Sequence, residues 1–134
     1  MSLVFADAFY FIARLNRHDQ YHDRVVEYSR HFRAQLLTTD WVLMEVADAL
    51  AQSGCRGRVR EFVHHLRCLA AYEVVPATRE LFDRALDFYH QRTDKEWTLT
   101  DCVSFVIMRE RNMTEALTGD KHFEQAGFAA LLKF

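Results

Sequence analysis

Proline is nearly absent from this chain, with one residue in 134, and glycine occurs only four times. This scarcity argues against collagen-like repeats and against the Pro- or Gly-rich linkers that separate domains. Residues 1–134 are therefore read as a single domain. Cysteine is sparse as well. Cys55, Cys68 and Cys102 are odd in number, widely spaced and without a C-x-x-C pair. That pattern is a poor disulfide framework and a poor structural zinc site, and it points to reduced thiols in a cytoplasmic protein. No run approaches the ~18 apolar residues that a membrane span needs. Asp7 and Arg14 interrupt the apolar N-terminal segment and no basic stretch precedes it, which argues against a secretory signal. Neither sign of charge dominates: 17 Lys+Arg face 19 Asp+Glu, a formal net charge of −2. A basic arm coating nucleic acid is thus missing, and any such contact must come from a local patch.

What is present suffices for a core, since 50% of the residues are hydrophobic and 27% charged. Leu3 to Ala6 is a short apolar run that reads as a strand buried on both faces. Helices follow over about Ala8–Asn16 and Tyr21–Arg33, the second with Tyr21, Val25, Tyr28 and Phe32 near helical spacing. Leu36–Thr38 is a second strand. Thr39 and Asp40 are good caps for a helix over Trp41–Leu50. Ser53–Gly57 reads as a turn before a helix over Arg58–Ala71. Glu73–Val75 is a third strand, stopped by Pro76, and a helix runs from Thr78 to about Arg92. After a polar loop at Thr93–Glu96, a helix covers about Thr100–Glu110. Ala116–Thr118 is a fourth strand, Gly119-Asp120 a turn, Lys121–Gln125 a short helical turn and Ala130–Phe134 a last strand. Short apolar strands alternating with amphipathic helices predict an α/β fold with a mainly parallel sheet and helices on both faces.

Four acids occupy informative positions. Asp7 directly follows the first strand, where open α/β sheets bind ligands; the same place suits a helix N-cap. Glu45 falls within the apolar stripe of Val42, Val46 and Ala49, where a charge is costly unless paired or metal-bound. Asp101 opens an apolar helix and completes the capping-box spacing Thr98-Leu99-Thr100-Asp101, so a purely local role also fits it. Asp120 follows the fourth strand after Gly119 and doubles as an ordinary turn residue. Two of the four follow strands, and two lie in the first or second turn of helices leaving the same sheet edge. Brought together they repel, by about 4 kcal/mol per pair at ~4 Å and an effective dielectric of ~20. Such a cluster makes sense around Mg²⁺ or Mn²⁺, which prefer carboxylate oxygens and water, and which can activate water against a phosphodiester.

On these residues the sequence resembles the PIN-domain ribonucleases, specifically the VapC-type toxins of toxin–antitoxin pairs. Phe5-Ala6-Asp7, Val42-Leu43-Met44-Glu45-Val46, Thr98 to Phe105, and Leu117-Thr118-Gly119-Asp120-Lys121-His122-Phe123 followed by Gln125-Ala126-Gly127-Phe128 carry the likeness across essentially the whole chain. The resemblance implies a three-layer α/β/α sandwich and Mg²⁺ or Mn²⁺ at Asp7, Glu45, Asp101 and Asp120. It further implies endoribonuclease action on RNA, often tRNA or rRNA, inhibition by a cognate antitoxin, and a homodimer.

Thr118 and Ser104 are candidates to orient a metal-bound water or the Asp120 carboxylate, although plain packing fits both. His122, two residues after Asp120, could contact RNA or act as a proton donor, but a turn or packing role suits it as well; Lys121 reads as solvent-facing. Arg56, Arg58, Arg60 and Arg67, with His64 and His65 between them, could neutralise phosphates or form a solvated helix face. Phe32, Phe62 and Phe82 read as core, while some of the eleven phenylalanines could line a partner groove. Rival functions are a PIN-type RNA-processing nuclease and a catalytically silent RNA- or partner-binding module. An aspartyl-phosphate phosphatase fits poorly, because it wants a second acid two residues after Asp7 and Phe9 stands there. With the four acids set aside, 17 basic residues face 15 acidic ones, a concentrated acidic site in a slightly basic body.

Overall fold

Five short strands form one all-parallel sheet in the order β3-β2-β1-β4-β5, as described by a computed structural model covering residues 2–52 and 54–134. The elements in chain order are β1 (Leu3–Ala6), α1 (Ala8–Leu15), α2 (His22–His31), β2 (Gln35–Thr39), α3 (Asp40–Ala49), α4 (Arg56–Cys68), β3 (Tyr72–Val75), α5 (Arg79–Gln91), α6 (Leu99–Glu110), β4 (Glu115–Leu117), α7 (Lys121–Gln125) and β5 (Ala129–Ala130). The α/β class and the parallel sheet expected from the sequence are both present.

Strand order dictates where a ligand can bind. From β1 the chain steps to β2 and β3, then crosses back over the sheet to β4 and β5 on the other side of β1. Right-handed crossovers in opposite directions put their helices on opposite faces. β1 and β4 are therefore the neighbours at which the winding reverses. Helices diverge there and leave a crevice at the carboxyl ends of the strands. Register pairs Phe5 with Ala116 and Ala6 with Leu117, so the residues just after both strands emerge side by side.

Helix starts follow the capping chemistry of the sequence. Thr39 accepts the Val42 N–H at 3.1 Å at the start of α3, and Thr78 accepts the Leu81 N–H at 3.2 Å at the start of α5. Thr98 and Asp101 form a reciprocal capping box at α6. The sheet core is sealed by Val4, Phe5, Leu37 and Leu117. Phe105 of α6 stacks edge-on against both Trp97 and Phe123, with ring centroids 5.0 and 4.9 Å apart, and so ties α6 and α7 to one aromatic cluster.

Several expectations need correction. The turn expected at Ser53–Gly57 ends early, because Arg56 and Gly57 already belong to α4; Ser53 lies outside the described residues. The last strand is only Ala129–Ala130, although the Leu131 and Leu132 N–H groups still bond the Ala116 and Thr118 carbonyls. Ala49 is exposed, so the buried stripe of α3 is Val42, Leu43 and Val46. Phe32 and Phe62 pack against the core, whereas Phe82 lies on the surface with Leu86 and Tyr89. No helix among the described residues is long and apolar enough to cross a membrane.

Candidate metal centre

Asp7 occupies the N-cap position of α1, yet its side chain makes no capping hydrogen bond. It turns instead across the crevice, where Thr118 Oγ1 donates to Asp7 Oδ2 at 2.8 Å. The same Thr118 oxygen accepts the Asp120 N–H at 3.0 Å. One hydroxyl thus fixes the residues that leave β1 and β4, and it does so while fully buried. Ser104 acts elsewhere: its hydroxyl donates to the Thr100 carbonyl at 3.2 Å within α6.

Asp101 takes the capping role that its spacing predicts and also reaches across to α7. Its Oδ2 accepts the Thr98 N–H at 3.1 Å, closing the capping box, and the same oxygen lies 2.9 Å from His122 Nδ1. Asp120 Oδ1 accepts the His122 backbone N–H at 2.9 Å and caps α7. Ligand atoms of Asp101, Asp120 and His122 all lie within 4.8 Å of one another. Gly119 has a spatial reason to be glycine: a Cβ there would stand 2.7 Å from Phe9 Cζ and 2.9 Å from the Leu132 carbonyl oxygen. A side chain would push the turn, and Asp120 with it, off the sheet edge.

Electrostatics tie the fourth acid to the other three. Burial pushes the Asp7 carboxyl from 3.8 up to about 7, and the charges of Glu45 and Asp101 push it the same way, while the Thr118 hydroxyl opposes them. Half-buried Glu45 is raised by desolvation first and then by the charges of Asp101, Asp120 and Asp48. Asp101 is also raised by burial, against the lowering effects of His122 and the Thr98 N–H. Asp7, Glu45 and Asp101, each raised by burial and by neighbouring carboxylates, are held at a cost. A hard divalent cation relieves that cost, and a donor set dominated by carboxylate oxygens suits Mg²⁺ or Mn²⁺. The residues present therefore fit such a group.

Arg56 and Arg58 of α4 are anchored away from this crevice. Arg58 Nη2 donates to the Leu15 carbonyl at 2.8 Å, closing the far end of α1, and Arg56 Nη1 donates to the Ala51 carbonyl at 3.0 Å beyond the end of α3. α1 has eight residues, so its far end is about 12 Å from its start beside Asp7. Arg67 pairs with Asp40 at 3.1 Å, and Arg60, His64 and His65 are exposed. Lys121 is exposed, as the sequence suggests. His122 is where sequence reasoning fell short. Its ring sits among the acids, a placement signalled only by its spacing two residues after a strand-end Asp.

The PIN domain family model matches residues 4–129. The 23S rRNA-specific endonuclease VapC20 of Mycobacterium tuberculosis is 24% identical over 126 residues, covering 94% of this chain and 95% of that protein. The crystal structure of M. tuberculosis VapC20, described as a Sarcin-Ricin loop cleaving toxin, superposes with a TM-score of 0.85 at 23% identity, covering 97% of this chain and 98% of that one. FitAcB from Neisseria gonorrhoeae superposes with a TM-score of 0.63 at 14% identity, covering 95% of this chain and 94% of that one. A toxin–antitoxin complex from Klebsiella pneumoniae gives 0.60 at 11% identity, covering 88% and 87%. With the acids gathered where the sheet reverses its winding, and a family model matching nearly end to end, the chain belongs to the PIN domain family.

Proposed function

We propose that this protein is a divalent-metal-dependent endoribonuclease, acting as the toxin of a type II toxin–antitoxin pair. The observation that carries the reading is the convergence of Asp7, Glu45, Asp101 and Asp120, whose burial and mutual repulsion hold three of the carboxyls above their ordinary range. A negative cluster of this kind cannot receive an RNA phosphate by itself. Bound Mg²⁺ or Mn²⁺ supplies a Lewis acid for the phosphodiester and lowers the pKa of an attacking water.

The chain's own residues supply the frame. Thr118 fixes the Asp7 carboxylate across the crevice. Thr98 and His122 hold Asp101 from the side of α6 and α7. The His122 N–H orients Asp120, and Glu45 approaches from α3, half-buried. The carboxyl oxygens left without protein donors are the ones a hard cation takes. Similarity to VapC20 supports structured rRNA as the substrate class, and the toxin–antitoxin neighbours support a protein inhibitor. A homodimer is supported by an apolar surface: Trp41 and Phe82 line one groove, Leu86 and Tyr89 continue it along α5, and Met44 lies one turn beyond Trp41.

Inducible expression of wild type beside Asp7→Asn, with RNA ends sequenced, tests the proposal. Wild type should arrest growth and produce discrete new ends, and the purified protein should cut the same RNA with Mg²⁺ or Mn²⁺. Undiminished cutting in excess EDTA, or by Asp7→Asn, would refute it. Cutting without growth arrest would point to RNA processing instead of toxicity.

A further inference from the structure

We infer that His122 is a positioning residue that restricts Asp101 to one metal-facing oxygen and so selects a small octahedral cation over a larger one. The inference rests on the reading of the four acids as a cation site. An ionised carboxylate only accepts hydrogen bonds, so the 2.9 Å contact to Asp101 Oδ2 places the proton on His122 Nδ1. Thr98 N–H donates to that same oxygen at 3.1 Å. Two donors converge on Oδ2, and Oδ1 takes no hydrogen bond among the described residues.

The two donors have different consequences. The Thr98 contact is local, three residues away, and belongs to the cap of α6. The His122 contact spans 21 residues and joins α6 to α7. The ring is held firmly: its side chain is 20% exposed, and the adjacent Phe123 is fully buried against Phe5 and Phe105. The same residue governs a second acid, since its backbone N–H binds Asp120 Oδ1 at 2.9 Å and Nδ1 stands 3.6 Å from that atom. One residue therefore sets the orientation of two carboxylates from two elements.

Mg²⁺ and Mn²⁺ fit sites built from single carboxylate oxygens and water in near-octahedral geometry, whereas Ca²⁺ accepts bidentate carboxylates and higher coordination. With Oδ2 occupied by His122 and Thr98, Asp101 offers only one oxygen. Freed from His122, it can rotate toward a bidentate grip. Partners that orient a ligand in this way typically contribute 10- to 100-fold in metal affinity.

The test is Mn²⁺ titration of the intact chain by electron paramagnetic resonance, with Ca²⁺ as competitor, on wild type, His122→Ala and His122→Asn. Asparagine places an N–H donor the same number of bonds from the backbone as Nδ1. His122→Ala should bind Mn²⁺ about 10- to 100-fold more weakly and discriminate less against Ca²⁺, and His122→Asn should restore both toward wild type. Unchanged Mn²⁺ affinity in His122→Ala overturns the inference. So does a His122→Asn variant as weak as His122→Ala, which would make the imidazole itself a ligand. A wild-type chain that binds no Mn²⁺ removes the cation site, and the inference with it. Thermal unfolding of both variants in EDTA checks that they are folded.

Discussion

Without a cation, the acidic centre should destabilise the protein in a pH-dependent way, and Asp7→Asn should relieve it. Asp7 titrates near 3.8 when unfolded and at about 7 when folded, chiefly because it is buried. Over that window the folded chain keeps a proton that the unfolded chain has released. Stability is therefore fully present below pH ~4, is lost as pH rises, and levels off above about 7. At ~1.4 kcal/mol per pH unit the gap corresponds to a loss of about 4 kcal/mol at most, of which about 3 falls between pH 5 and 8. That is a large share of the 5–15 kcal/mol typical of a domain. The measurement is urea unfolding of wild type and Asp7→Asn in EDTA at pH 5 and pH 8, taking the difference so that groups common to both cancel. Wild type should lose about 3 kcal/mol relative to Asp7→Asn over this range, and saturating Mn²⁺ at pH 8 should restore wild type alone. A difference that does not change with pH, or an Asp7→Asn chain less stable than wild type at pH 8 in EDTA, would refute the reasoning.

Thr118→Val keeps shape but removes the donor to Asp7 and the acceptor for the Asp120 N–H. It should cost about 1.5–3 kcal/mol, more at pH 8 than at pH 5, and lower metal-dependent cleavage; urea unfolding and an RNA assay check both. Gly119→Ala should cost about 1–3 kcal/mol by overpacking against Phe9 and the Leu132 carbonyl, read as a lower Tm. Leu86→Glu, at a site 42% exposed, should leave unfolding nearly unchanged while converting the proposed dimer to monomers in sedimentation velocity.

Locally encoded features were legible from residues alone. β1, the Thr39 cap, the Thr78 cap and the Thr98–Asp101 box are decided by neighbours within four positions, so spacing suffices to find them. Asp7, Glu45, Asp101 and Asp120 were legible as acids at strand ends and helix starts. Their common destination depended on strand order, which periodicity does not encode. What was missed depends on contacts distant in sequence. His122 meets Asp101 only after α6 and α7 pack through Phe105 and Phe123. Arg56 and Arg58 each give a donor to a carbonyl, at Ala51 and at Leu15, the latter 43 residues from Arg58, anchors that spacing does not reveal. β5 shrank to two residues because its remaining backbone bonds run to β4 and Thr118 outside a regular ladder.

The bond between Thr118 and Asp7 joins residues 111 positions apart. Chains are synthesised from the N-terminus, so Asp7 leaves the ribosome long before the residues that orient it exist. β1 can pair with β2 early, but its other edge stays open until β4 arrives. Until then the crevice has one wall and Asp7 lacks the donor that orients its carboxylate. The acidic centre can therefore assemble only once β4 and the Thr118 hydroxyl are in place, late in the order of synthesis.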